Sequence, residues 1–276
     1  EQLHPYVENV RETHNLYGKA QDERGAWISA EAVQSENPEV VYWVGCAASY
    51  EKQQIARAVV KILNAAKVTY KILGPEEWCS GAPLARMGYQ EMVRKELMPH
   101  NLDAVARTGT KALVTACAEC YRSFARDYKD WGGNPPFSVF HISHFLEKLV
   151  REKRITFTKP IPQSVVFHDA CHMGRVCDTF DPPRQALKFI KDLKLLEILP
   201  MREEALCSGG GGGFPDVYPA QAANVASRRI EAAVNTGSNT IVTTCPHAEM
   251  HFDKIAKQRN MQISIVDLAE MVAQAL

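Results

Sequence analysis

From residue 38 onward, short apolar runs alternate with stretches of helical period. "EVVYWVGC" is a continuous buried-strand run ending on Cys46. Ile55, Val59, Ile62 and Leu63 then share one helical face. "VTYKIL" (68–73) reads as a second strand and leads into the loop "GPEEWCSGAP". A long helix is expected around 84–106, then a strand in "KALVTAC" and a helix opening at "AECYRSFARDY". "FSVFHI" (137–142) reads as a strand, with Ser143 as N-cap of the helix "HFLEKLVREK". The order then recurs. "SVVFHDAC" (164–171) is a strand, "PPRQALKFIKD" a helix opened by prolines, and "KLLEIL" a strand before the loop "REEALCSGGGGGFP". A helix around 217–236, the strand "NTIVTTC", the helix "HAEMHFDKIAKQR" and the strand "QISIV" complete it, with Asp267 capping a last helix. Residues 1–37 are polar without a clear period and read as an arm or linker carrying short helical pieces.

This order is an internal repeat, and the cysteines keep time with it. Cys79 to Cys117 spans 38 residues, and so does Cys207 to Cys245. Cys46 to Cys79 is 33 and Cys171 to Cys207 is 36. Both middle cysteines are followed by Ser-Gly. Strand–helix alternation within each copy predicts an α/β fold of two pseudo-symmetric, Rossmann-like lobes with mostly parallel sheets. The expected division is an arm at 1–37, a first repeat at 38–155 and a second at 156–276.

Composition narrows the function. The 276 residues are 46% hydrophobic, enough for two lobes with their own cores. The 32 basic and 32 acidic residues cancel, and no basic stripe marks a nucleic-acid partner. No apolar run approaches the roughly 18–20 residues that span a bilayer, and no signal-peptide pattern is present. The eight cysteines of such a chain are expected in a reducing, cytoplasmic setting as metal ligands or catalysts rather than disulfides.

Three of the four cysteine positions in each repeat follow a predicted strand. Loops at the C-terminal ends of parallel strands gather on one edge, where ligands bind. Cys46, Cys79, Cys117 and Cys120 are therefore expected to converge, and four thiolates suit a [4Fe–4S] cluster or a zinc ion. Cys-Ala-Glu-Cys at a helix start lowers thiol pKa and favours an anionic cluster. Structural zinc sites usually pair two short Cys-x-x-Cys knuckles. One short pair is present here, which favours a cluster. Buried structural cysteines, or a thioredoxin-like role for Cys117 and Cys120, leave the repeat-matched positions unexplained.

The second repeat offers Cys171, Cys207 and Cys245, but Ala248 stands where Cys120 stands in the first. Cys177, His172 or His247 are candidates to complete a second metal site. Alternatively one iron stays open to substrate, or the site is empty. The five glycines at 209–213 could cradle phosphate, but no P-loop or dinucleotide frame surrounds them. They are read as letting the backbone pass close to the Cys207 site. His141 and His144 are expected as capping or surface residues, Asp169 as a turn residue, and the four tryptophans as packing.

Taken together, "VGC", "CSG" and "CAEC", then "HDACHMGR", "LCSGGGGG" and "TCPHA", resemble the cysteine-rich CCG-domain proteins. These are the B- and D-type heterodisulfide reductase proteins, with relatives in DsrK-type membrane complexes and in the iron–sulfur subunits of glycerol-3-phosphate dehydrogenase and of glycolate and lactate oxidases. The resemblance covers residues 38–276. It implies an iron–sulfur electron-transfer subunit of a heterodisulfide reductase-like redox complex, with ferredoxin-like, flavoprotein or membrane quinone-linked partners and membrane association through a partner. The alternatives are a catalytic thiol/disulfide reductase subunit acting at an incompletely ligated or noncubane cluster, and a zinc-stabilised scaffold. "NLYGKAQDERGAW" resembles the linker after a ferredoxin-like domain in fused members, which implies such a domain upstream or on a partner. The family's adjacent Cys-Cys is Cys79-Ser80 and Cys207-Ser208 here. In the heterodisulfide reductases that pair helps hold a noncubane cluster, and each copy here has one thiol fewer. Ser80 and Ser208 instead stand beside ligands where they could tune a potential.

Overall fold

The computed structural model describes residues 2–276. Strands β1 (Val40–Trp43), β2 (Tyr70–Ile72), β3 (Ala112–Thr115) and β4 (Ser138–His141) form one sheet in the order β2-β1-β3-β4. Strands β5 (Ser164–Phe167), β6 (Lys194–Glu197), β7 (Thr240–Thr243) and β8 (Ser264–Asp267) repeat that order as β6-β5-β7-β8. Every pairing is parallel. The expectation of two α/β lobes is met, and "mostly parallel" becomes wholly parallel. All residues of β1 and β7 are buried, as parallel strands covered by helices on both faces require.

The lobes share a core. Helix Gln53–Ala65 of the first lobe packs on Leu268–Gln274 of the second, and Ile142–Arg151 packs on Asp181–Lys188. The two contacts are the same contact under the pseudo-twofold. Ile55, Ile62, Leu146, Leu149, Leu268 and Val272 meet there in one cluster that is closed to solvent. Burying such side chains stabilises the molecule by roughly 1.5–3 kcal/mol each.

Local differences from the sequence reading have physical causes. The helix expected at 84–106 is broken: Ala82–Arg86 ends before Gly88, whose φ of 95° no helix accommodates. Ser143 is not the N-cap. His141 is, and its ring nitrogen accepts the Ser143 N–H at 3.2 Å. His141 is accordingly buried, not on the surface. Asp267 does cap the last helix, in a full capping box with Glu270. Asp169 is more than a turn residue: it takes both Arg184 guanidinium nitrogens, at 2.7 and 2.9 Å, inside the second lobe. Residues 4–13 form a helix whose Val7 and Val10 are buried against the first lobe. Among the described residues no helix is long and apolar enough to cross a membrane.

Candidate metal centres

The strand ends deliver the first-lobe cysteines to one place. Cys46 opens a short helix after β1, and Gly45 before it has φ 79° and ψ 155°, a conformation essentially reserved for glycine. A Cβ on Gly45 would also stand 3.2 Å from the Cys120 sulfur. Cys79 lies on the loop after β2. Cys117 follows β3 as the N-cap of the next helix, and its sulfur accepts the Cys120 N–H. All four thiols are free, buried and lining one small cavity.

Donors surround these sulfurs. The Gly81 N–H points at Cys79 Sγ at 3.3 Å, and the Ser80 hydroxyl at Cys120 Sγ at 3.3 Å. Arg24, from the N-terminal segment, reaches Cys46 Sγ at 3.6 Å. Glu77 holds Arg24 in place at 2.8 Å and accepts the backbone N–H groups of Val44 and Gly45, each at 2.8 Å. Arg24 and Glu77 are almost wholly buried. The hydrogen bond from Cys79, with help from Arg24, draws the Cys46 thiol down against the opposing effect of burial. That donation, together with burial, pushes Cys79 up. The sequence reading missed Arg24 and Glu77, because their partners lie 22 to 53 residues away and no local pattern marks them.

The second lobe repeats the geometry with variations. The Gly209 N–H points at Cys207 Sγ at 3.3 Å, as Gly81 does at Cys79. Cys245 stands at the N-cap position of its helix as Cys117 does, but without the side-chain cap hydrogen bond that Cys117 makes. Cys171, Cys207 and Cys245 line a cavity of about 240 Å³ together with His172, Ala248 and two further residues, Glu119 and His247. Cys171 and Cys207 are half-buried, so this site is more open than the first. Cys177 does not line it. Its thiol is raised to about 11 by burial, and Arg122 opposes the shift.

Glu119 and His247 face each other across the lobe boundary. They are pseudo-symmetry equivalents, the third residues of Cys-Ala-Glu-Cys and Cys-Pro-His-Ala. The Ala118 N–H donates to Thr244 O at 3.1 Å and binds the two corners together. Pro246, the equivalent of Ala118, has no N–H for the reciprocal bond. Glu119 Oε2 stands 3.1 Å from His247 Nδ1. Burial opposes both charges, but each outweighs it for the other: Glu119 is held down to about 2 and His247 lifted to about 9. Among the described residues, Glu119, Cys245 and His247 are a group of potential ligands whose donor atoms all lie within 4.8 Å of one another.

The glycine run passes close to the residues at the lobe boundary. A Cβ on Gly210 would stand 2.9 Å from His247 O, and one on Gly211 would stand 2.9 Å from Glu119 Oε1. Of the tryptophans, Trp27 and Trp43 are core, and Trp78 is stacked between His14 and His100 at 3.7 and 3.6 Å. Trp131 packs beside Tyr128.

The chain is similar to known proteins. The family described as "Cysteine-rich domain" (CCG) matches residues 40–125 and again 165–253. The D-type component of dihydromethanophenazine:CoB–CoM heterodisulfide reductase from Methanosarcina mazei is 34% identical over 270 residues, covering 97% of this chain and 66% of that protein. "Probable iron-sulfur-binding oxidoreductase FadF" of Bacillus subtilis is 30% identical over 279 residues, covering 100% of this chain and 39% of that protein. The chain thus spans less than two thirds of either relative. A solved structure of a hypothetical protein from Helicobacter pylori matches with a TM-score of 0.60 at 12% identity, covering 98% of this chain and 57% of that one, and shares the fold.

Proposed function

The chain belongs to the CCG cysteine-rich domain family, as a protein of the heterodisulfide reductase B/D-like kind, and from that premise we propose an iron–sulfur redox subunit with a [4Fe–4S] cluster on Cys46, Cys79, Cys117 and Cys120. The observation that carries this reading is the cavity lined by four free, buried thiols from three strand ends, with N–H and O–H donors aimed at their sulfurs. The donor set fits the group. A zinc ion with Zn–S bonds of about 2.3 Å needs its four sulfurs within ~4 Å of one another. Among the described residues no three of these thiols fall in a group within 4.8 Å, which favours the larger centre.

Bound there, the cluster would supply a one-electron store and relay. The chain's own residues do the rest. Arg24, Ser80 and the Gly81 amide place positive charge and donors against the sulfurs, which favours the more negative, reduced state. Burial excludes water from Cys79 and Cys117. The electron donors and acceptors are further proteins of a complex, ferredoxin-like, flavoprotein or membrane quinone-linked, a reading supported by the Methanosarcina relative, which is named as one component of a larger reductase. The chain works in the cytoplasm, with any membrane contact made through such a partner.

Anaerobic purification followed by iron and acid-labile sulfide counting and EPR tests this. A loss of about four irons per chain in Cys120→Ser supports it. Zinc without sulfide refutes it. The second lobe favours a second reading for itself, catalysis on a thiol or disulfide. Its cavity of about 240 Å³ leaves Cys171 and Cys207 half-buried, open to a substrate where the first-lobe thiols are closed.

A further inference from the structure

Ala248 removes a thiolate from the second lobe, and the structure puts a carboxylate from the first lobe in its neighbourhood. We propose that Glu119 is the fourth protein ligand of an iron–sulfur cluster held by Cys171, Cys207 and Cys245, so that the second centre is completed across the lobe boundary. The inference rests on the iron–sulfur reading above.

Four observations converge on it. Glu119 lines the same cavity as the three second-lobe cysteines and Ala248. A carboxylate oxygen of Glu119, Cys245 Sγ and a His247 nitrogen all lie within 4.8 Å of one another, so the carboxylate reaches the cysteine corner of the second lobe. Glu119 is 2% exposed, yet Oε2 has no hydrogen-bond partner. Its neighbour His247 Nδ1 stands 3.1 Å away and is equally without one, so the pair is close but not aligned as a hydrogen bond. The ion pair thus leaves Oε2 without an aligned hydrogen bond, with capacity for a further partner such as a metal. Lastly, Gly211 has no side chain at the point where one would meet Glu119 Oε1 at 2.9 Å. The second-lobe loop is cut away to admit the first-lobe carboxylate.

Chemistry agrees with the position. A carboxylate is an anionic ligand like the thiolate it replaces, so the centre keeps its ligand charge. It is a harder donor than sulfur, and one iron of the second centre would differ from the other three. Because Glu119 sits between Cys117 and Cys120 in sequence, the two centres would be joined through three residues of one helix start.

The test counts iron and sulfide and records EPR on the full chain, purified without oxygen. Wild type should carry about eight irons, and Glu119→Gln should lose about four. The signal that Cys120→Ser abolishes should remain. Adding Ala248→Cys to Glu119→Gln should restore the missing irons, since residue 248 lines the cavity at the position equivalent to Cys120. His247→Gln breaks the same ion pair without touching the carboxylate and should keep its iron. Far-UV circular dichroism checks that each variant folds. The proposal is overturned if wild type holds one cluster, if Glu119→Gln keeps all its iron, if Ala248→Cys fails to restore it, or if His247→Gln loses as much. Should Cys120→Ser leave the iron unchanged, the first-lobe reading fails instead, and the two failures are distinguishable.

Discussion

Replacing Arg24 by Met removes a buried charge while keeping an unbranched side chain in the slot. Arg24 and Glu77 are 2% and 1% exposed, so solvent screens neither. Breaking a buried pair from one side costs about 3–5 kcal/mol, because the remaining charge is left without its partner. Glu77 keeps the Val44 and Gly45 N–H donors, so the lower figure, about 3 kcal/mol, is expected. For a chain this long that lowers the melting temperature by roughly 6–12 °C. The charge also acts on Cys46. At 3.6 Å and an effective dielectric near 20, a full charge on that sulfur is stabilised by about 4–5 kcal/mol. Shared among four thiolates, roughly a quarter remains, which is about 50 mV for a one-electron couple. Arg24→Met should therefore shift the first-lobe potential negative by about that amount in an EPR-monitored redox titration. The double variant Arg24→Met/Glu77→Gln tests the cause. It should recover much of the lost stability in anaerobic urea unfolding, because neither charge is then left alone. If the double variant is as unstable as the single one, or if the potential does not move, the charge argument is wrong.

Other outcomes follow from the same structure. Gly45→Ala forces a side chain into a glycine-only conformation and against the Cys120 sulfur; it should cost about 1–3 kcal/mol by denaturant melt and lower iron content. Cys177→Ser should leave iron and sulfide unchanged, since that thiol does not line the second-lobe cavity. Leu146→Ala, in the core the lobes share, should cost about 2–5 kcal/mol, read as a lower urea midpoint. Glu249 is raised to about 7, by burial first and by Glu270, although Lys52 opposes the shift. Its folded state therefore holds a proton that the unfolded chain releases near pH 4.5. That contribution is present below pH 4.5 and lost as pH rises through about 7. Glu249→Gln should flatten the fall in urea stability across this window, by up to roughly 3 kcal/mol.

Much of the architecture was written in local pattern. β1 and β7 are short apolar runs, buried at every position, and the matched 38-residue cysteine spacings mark the pseudo-twofold. The cysteine corners were legible because strand ends in a parallel sheet share an edge. Arg24 and Glu77 were not, because a buried ion pair depends on a contact that polar residues in an aperiodic segment do not announce. The segment read as an arm supplies that arginine, and its helix covers part of the first lobe. Glu119 had a signal that was available: laying "CAEC" on "CPHA" puts it opposite His247. What the overlay lacks is the handedness of the lobe packing, which turns equivalent positions into neighbours 3.1 Å apart. His141 was placed near its role but not its depth, because a histidine capping a helix at a sheet edge looks like any exposed polar residue in sequence.

Binding of an iron–sulfur cluster by the four cysteines of the first lobe is tested most directly by Mössbauer spectroscopy. Spectra of anaerobically purified, ⁵⁷Fe-enriched protein would be compared between wild type and Cys120→Ser. The prediction is a four-iron component in wild type that is lost or converted to a smaller cluster in the variant. An identical spectrum in both proteins, or no iron component in wild type while zinc is bound, would contradict it.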